Sequence, residues 1–411
     1  MGEILFVTIL VIFVINFLIE KYVAYLNTTK MSSELPDYLI DLYDKDEYSK
    51  QQNYQKDNNK LELLSSSLMF VIVLFAIISS TFGHLDSILR YYISHPILLS
   101  LSFFGILYFV TEFLQTPFTV YDIFVIEEKY GFNKMSANLF FLDKLKGILL
   151  STIIGGGLIS LIIFIFMKIP DLFWVVAWLV VSAISLFFAM FYSSIIVPLF
   201  NKQTPLPEGE LRTAIEKFST KVGFQLNNIY LIDGSKRSTK ANAYFTGLGP
   251  KKRIVLYDTL VNELTTNEIV AVLAHEIGHY KHKHVWKGIV SGLIQAGIMF
   301  FVFGLLINNV SLSEALGGKQ VSFHLGMISF GILYSPLSAI MELIVKSISR
   351  KHEFEADKFA KDYANSNDLA SALIKLSIKS LSNLTPHPVY VWFHYSHPPL
   401  LKRLAALKNK A

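Results

Sequence analysis

His275-Glu276-Ile277-Gly278-His279 closes a strongly helical run, Asn267-Glu268-Ile269-Val270-Ala271-Val272-Leu273-Ala274, that continues through Tyr280. Thr265-x-x-Glu268 makes a capping box at the start of that helix. Read as a helix, the four-residue spacing puts both imidazoles on one face, one turn apart, where a single Zn²⁺ can accept both. Glu276 projects from the same turn and can take a proton from an activated water without itself ligating the metal. With 11 His and 18 Glu in 411 residues, such a pattern arises by chance in roughly one chain in eighty. A third ligand must therefore be found elsewhere in the chain.

The composition is that of a membrane protein. Hydrophobic residues make up 52%, charged residues 17%, and the mean hydropathy is +0.44, against about 25% charged in soluble domains. Cysteine is absent, which excludes disulfides and thiolate metal sites. Seven stretches, near 4–26, 61–83, 96–117, 147–167, 172–199, 285–308 and 323–345, are long and apolar enough to span hydrocarbon. The first has no basic residue before it and no small-residue cleavage site, so it reads as a retained helix rather than a signal peptide. Gly155-Gly156-Gly157 in the fourth permits close helix approach or a bend, or is simply small and lipid-exposed.

Lys and Arg set the orientation. Of 37, 34 fall in or beside the segments 27–60, 118–146, 200–284 and 346–411; only Arg90, Lys168 and Lys319 lie on the other side. The positive-inside rule then places the C-terminus in the cytoplasm. A net charge of +5, distributed in this way, does not suggest nucleic-acid binding. The expected organisation is residues 1–199 as five membrane helices with cytoplasmic loops 27–60 and 118–146, then a cytoplasmic metalloprotease segment 200–284. Residues 285–345 supply two more membrane helices, and 346–411 a second cytoplasmic segment. Within 200–284, Glu208–Val222 has helical spacing, while 229–232 and 253–257 read as short strands. The polar stretch 44–60 reads as a mobile loop. No internal repeat is seen.

A metzincin would need histidine at position 285, which is Val. The remaining source is a carboxylate on another helix, and Ser349-Arg350-Lys351-His352-Glu353-Phe354-Glu355-Ala356-Asp357 follows the last membrane stretch. Straight helices would put His279 ~9 Å and Glu353 ~12 Å from the same membrane face. Glu353 and Asp357 share a helix face, so one can ligate while the other orients a ligating imidazole. The competing reading is a solvated acidic helix. His282 and His284 read as a basic, membrane-flanking turn rather than as ligands, since three side chains and a water already fill four positions. Arg403 either pairs with an acidic residue or a substrate carboxylate, or is solvated on a C-terminal helix.

His275-Glu276-x-x-His279 with Glu353-x-x-x-Asp357 and two membrane helices between them resembles the zinc-dependent type I CAAX prenyl proteases. Phe124–Asn133, Val197–Gly209, Asp233–Ser238, Asn242-Ala243-Tyr244-Phe245 and His394-Tyr395-Ser396-His397-Pro398-Pro399 agree in order. The resemblance implies an all-α integral membrane protein: a seven-helix α-barrel around an intramembrane chamber, with a cytoplasmic, gluzincin-like zinc-metalloprotease domain. It implies one Zn²⁺ per chain on His275, His279 and Glu353, with Glu276 as base and Asp357 behind a zinc histidine. Asn242 and His397 should lie beside the scissile bond, where an amide or an imidazole can stabilise the tetrahedral intermediate. The implied activity is removal of the C-terminal tripeptide from a prenylated C-a-a-X protein or peptide, by a monomer in contact with membrane lipid. The implied location is the endoplasmic reticulum membrane in a eukaryote, the inner membrane in a bacterium. The alternative is a shorter-chain relative, a membrane quality-control zinc protease that needs no prenyl group. A seven-helix transporter is a third reading, but it would call for inverted repeats and a site at the bilayer midplane.

Overall fold

Among the described residues, seven helices are long and apolar enough to cross a membrane: α1 (Gly2–Thr28), α2 (Lys45–Ile78), α4 (Pro96–Glu127), α5 (Ala137–Lys168), α6 (Pro170–Leu199), α9 (His284–Leu306) and α10 (Phe323–Tyr363). The computed structural model describes residues 1–408 apart from 33, 37–38, 41–43, 225–228 and 247–252. Each spanning helix packs against the one before and the one after it in sequence, and α10 returns to α1. That closes a ring. Between 6% and 17% of each helix's most apolar window is buried, far less than a solid seven-helix bundle would bury, so the ring is a wall open on both faces: an α-barrel.

At one end of the ring a short helix α3 (Thr81–Tyr92) crosses between α2 and α4. Here Asp86 Oδ1 stands 2.6 Å from His324 Nε2 at the start of α10, and Ser322 Oγ donates to the same oxygen at 3.0 Å. Ser100 Oγ of α4 is 3.0 Å from His324 Nδ1, and Arg90 Nε donates to Asp86 Oδ2 at 2.8 Å. Asp86, Ser100, Ser322 and His324 are all buried. Because each polar group is paired, the cluster fixes three elements to one another without leaving a bare charge in an apolar setting.

The other end carries the polar part of the chain. A four-stranded sheet runs β1 (Gln203–Pro205), β2 (Ile229–Ile232), β4 (Arg253–Tyr257), β3 (Ala243–Thr246), parallel between β2 and β4 and antiparallel elsewhere. Both expected strands are present; β1 and β3, too short and mixed in character to signal themselves, are additional. The sheet, α7 (Glu210–Lys221) and the short helix after β4 (Asp258–Glu263) bury Ile215, Leu256 and Leu260 against Ile269 and Leu273 of the motif helix α8 (Thr266–Lys281), and Ala372 of α11 (Ser366–Lys379) joins them. Each fully buried Ile or Leu contributes about 1.5–3 kcal/mol, so α8 is held by its apolar stripe. Arg237, in the loop before β3, donates at 2.7 and 3.0 Å to Asp143 of α5 and anchors this part to the ring.

Two expectations are corrected. Residues 44–60 are not a loop: Asp44 caps α2 by accepting from the amides of Asp46 and Glu47, and the helix starts at Lys45. Its buried face is Tyr48, Gln51, Gln52 and Tyr54, aromatic and amide groups that hydropathy does not score as a core stripe. Tyr54 packs on Tyr130 and Phe132, and its hydroxyl donates to Glu127. Nor does α8 run straight into the membrane. The chain breaks at His282 and Lys283, where Lys283 takes a left-handed conformation (φ 58°), and α9 starts afresh at His284. In contrast α10 is a single helix of 41 residues, with Pro336 inside it, ~60 Å long at 1.5 Å per residue.

Candidate metal centre

The capping box predicted at Thr265 is formed in both directions, and Glu268 is buried where Ser371 and Lys375 of α11 donate to it. Burial alone would raise the Glu268 carboxyl, but Lys375, Ser371 and the Thr265 amide outweigh it and hold it at about 2. These bonds set the axial position of α8. Gly278 sets its distance from α10: a Cβ there would lie 3.0 Å from both the Ala356 Cα and the Phe359 Cβ. Only a residue without a side chain lets the two backbones approach this closely.

At that contact three side chains converge. His275 Nε2 and His279 Nε2 are 3.1 Å apart; Glu353 Oε1 is 3.2 Å from His279 Nε2, and Glu353 Oε2 is 3.5 Å from His275 Nε2. Ligand atoms 2.0–2.1 Å from a four-coordinate Zn²⁺ stand roughly 3.3 Å apart, so these separations fit one ion. Glu353 is buried, with a third imidazole, that of His397, 2.8 Å from its Oε2 through Nδ1. A buried carboxylate is costly unless cations or donors complete it, and here imidazole nitrogens surround it. His275 carries the same signal. Burial alone would lower it, yet the Asp357 and Glu353 carboxylates raise it to about 9, so the site draws positive charge.

Asp357, one turn after Glu353, lies 2.8 Å from His275 Nδ1. Behind it Arg403 of α12 (Leu400–Lys408) donates from Nε to Oδ2 at 2.8 Å and from Nη2 to Oδ1 at 2.6 Å, a two-point fork that decides between the two readings of Arg403. All three groups are buried. Arg403→Ala is expected to lower stability by about 3–5 kcal/mol, because it leaves Asp357 buried without its cation. Arg403→Lys should recover only part, lacking the fork. Melting temperatures in detergent measure both; an unchanged value for Arg403→Ala would show that Asp357 is compensated elsewhere.

Glu276 is half-buried and lines a cavity of about 530 Å³ with His279, Ser349 and His352. His397, in the loop before α12, brings Nδ1 to 2.8 Å from Glu353 Oε2 while its side chain stays 66% exposed, as a group facing a substrate would. Asn242 shares no hydrogen bond or ion pair with these residues among the described ones. It stands exposed just before β3, an edge of the sheet, with its Oδ1 accepting from the Ala243 amide. One residue was missed by the sequence reading. His284 is buried, its Nδ1 is 3.0 Å from His279 Nδ1, and its Nε2 is 2.9 Å from Glu355 Oε2. Glu355 thus points away from Glu353, as two residues apart on a helix must, yet reaches the centre through His284. Only the left-handed turn at Lys283 makes this contact, and nothing in the local sequence announces that turn.

Residues 24–202 match the family model described as CAAX prenyl protease N-terminal, five membrane helices, and residues 205–411 match Peptidase family M48. A curated relative from Saccharomyces cerevisiae, CAAX prenyl protease 1, is 36% identical over 95% of this chain and 92% of its own. A Homo sapiens relative, CAAX prenyl protease 1 homolog, is 32% identical over 92% and 90%. The crystal structure of S. mikatae Ste24p superposes with a TM-score of 0.93 at 34% identity, covering 98% of this chain and 99% of that one.

Proposed function

Because the chain belongs to peptidase family M48 and is a multi-pass membrane metalloprotease of the CAAX prenyl protease kind, we propose that it removes the C-terminal tripeptide from prenylated C-a-a-X peptides with His275, His279 and Glu353 as the ligands of one Zn²⁺. The observation that carries this is the convergence of those three side chains at the end of a helix ring, with His279 and Glu276 lining a cavity there. Bound there, the ion would polarise the scissile carbonyl and acidify a water. Glu276 takes the water's proton and delivers it to the leaving amine. Asp357, fixed by Arg403, holds His275 in the tautomer that presents Nε2 to the ion, and His284 with Glu355 does the same for His279. His397 donates to the developing oxyanion, and the free edge of β3 with Asn242 takes up the peptide backbone as an added strand.

The ring supplies what a lipidated substrate needs, an apolar wall at the depth of the acyl region. The polar part, with the C-terminus, faces the cytoplasm, where C-a-a-X sequences are prenylated, and in a eukaryotic cell the membrane is that of the endoplasmic reticulum. The unit is read as a monomer. The relatives give no support to the quality-control alternative. A peptide ending in prenyl-Cys and three further residues is expected to be cut directly after the Cys, and faster than its unprenylated counterpart. Burying even five CH₂-sized units is worth about 4 kcal/mol, or roughly a thousandfold in binding. Product masses with and without a chelator test this; equal cleavage of both peptides would overturn the prenyl requirement.

A further inference from the structure

The break at Lys283 sets a second group of ligand-type side chains beside the first. His282, His284 and Glu355 each offer one nitrogen or oxygen, and these atoms all lie within 4.8 Å of one another. The His284 ring is held on its plane. It stacks on His352 at 3.8 Å and 10°, and lies near-parallel to His282 at 5.5 Å and 15°. Access is graded, with His282 exposed, Glu355 partly buried and His284 buried, so an ion can enter from solvent at one corner and find a fixed donor at its back. Two imidazoles and one carboxylate suit a divalent transition metal such as Zn²⁺ or Co²⁺.

We propose that His282, His284 and Glu355 form a second, weaker site for a divalent transition-metal ion, and that its occupation slows the protease by unsettling His279. The inference takes the resident metal from the reading above. It is weaker because the resident centre sets two buried carboxylates, Glu353 and Asp357, around its histidines, whereas this one has a single, partly exposed carboxylate. The coupling runs through one hydrogen bond. With Nε2 of His279 turned to the resident ion, its Nδ1–H donates to His284 Nδ1, and His284 Nε2–H donates to Glu355. An ion entering the second site displaces the His284 Nε2 proton to solvent and takes the Glu355 charge for itself. His284 then becomes a poorer acceptor, and His279 loses the support that holds it on the resident ion.

The experiment uses untagged holoprotein in detergent, dialysed against rising Zn²⁺, with bound metal counted by mass spectrometry and turnover of a prenylated peptide followed in parallel. Expected are one equivalent retained in metal-free buffer, a second taken up reversibly, and turnover falling as the second fills. His282→Ala should weaken the second equivalent about tenfold or more, keep the first, and lose the zinc sensitivity; His95→Ala, at another exposed histidine, should change nothing. The proposal is overturned by saturation at one equivalent, by a second equivalent that survives His282→Ala or goes with His95→Ala, or by turnover indifferent to the second ion. Since the His282→Ala difference is counted in metal, the site is judged independently of which peptide the protein cuts.

Discussion

Glu276→Gln should keep one tightly held zinc per chain and lose about 10²–10⁴-fold in turnover. The amide preserves the shape of the side chain and its place by the cavity, and it removes only the capacity to accept a proton. The ligand atoms of His275, His279 and Glu353 lie within 4.8 Å of one another without any contribution from position 276. Metal content and turnover therefore separate in this variant, as they cannot in a ligand variant. Turnover near the parent's would remove Glu276 from proton transfer.

Glu353→Ala should release the metal altogether, since a three-residue ligand set has no spare member. The neighbouring change, Glu355→Ala, should act through two hydrogen bonds and weaken the resident metal about 10–100-fold, as loss of an outer partner does. A titration with a chelator resolves the two. Identical behaviour of the pair would mean that α10 is rotated from the register described, because residues two apart on a helix cannot address one centre in the same way.

The centre was legible where helical spacing alone fixes it. His275 and His279 share a face by their separation of four, and so do Glu353 and Asp357; the two helices needed only to meet. Gly278, between the histidines, is what lets them meet, and a glycine there is consistent with the sequence without demanding that reading. The His284–Glu355 pair was not legible. It joins residues 71 apart across a corner whose geometry depends on Lys283 adopting a conformation that lysine rarely takes. The packed start of α2 was hidden for another reason. Its buried face is made of tyrosine and glutamine, so burial there is achieved by ring contacts and hydrogen bonds that a hydropathy count does not register. Of the polar site residues, His397 is brought to Glu353, whereas Asn242 stands just before the edge strand of the sheet, on a different element.

The length of α10 makes the metal centre answerable to the opposite side of the membrane. Glu353 is 29 residues from His324, ~44 Å along one helix that holds Pro336 between them, so the carboxylate at one end and the buried cluster at the other ride on a single element. The buried bonds that join Asp86, Ser100 and Ser322 to His324 fasten the far end of that element. Glu353 thus takes its position from both ends of the ring, from α8 beside it and from the buried cluster at the start of α10.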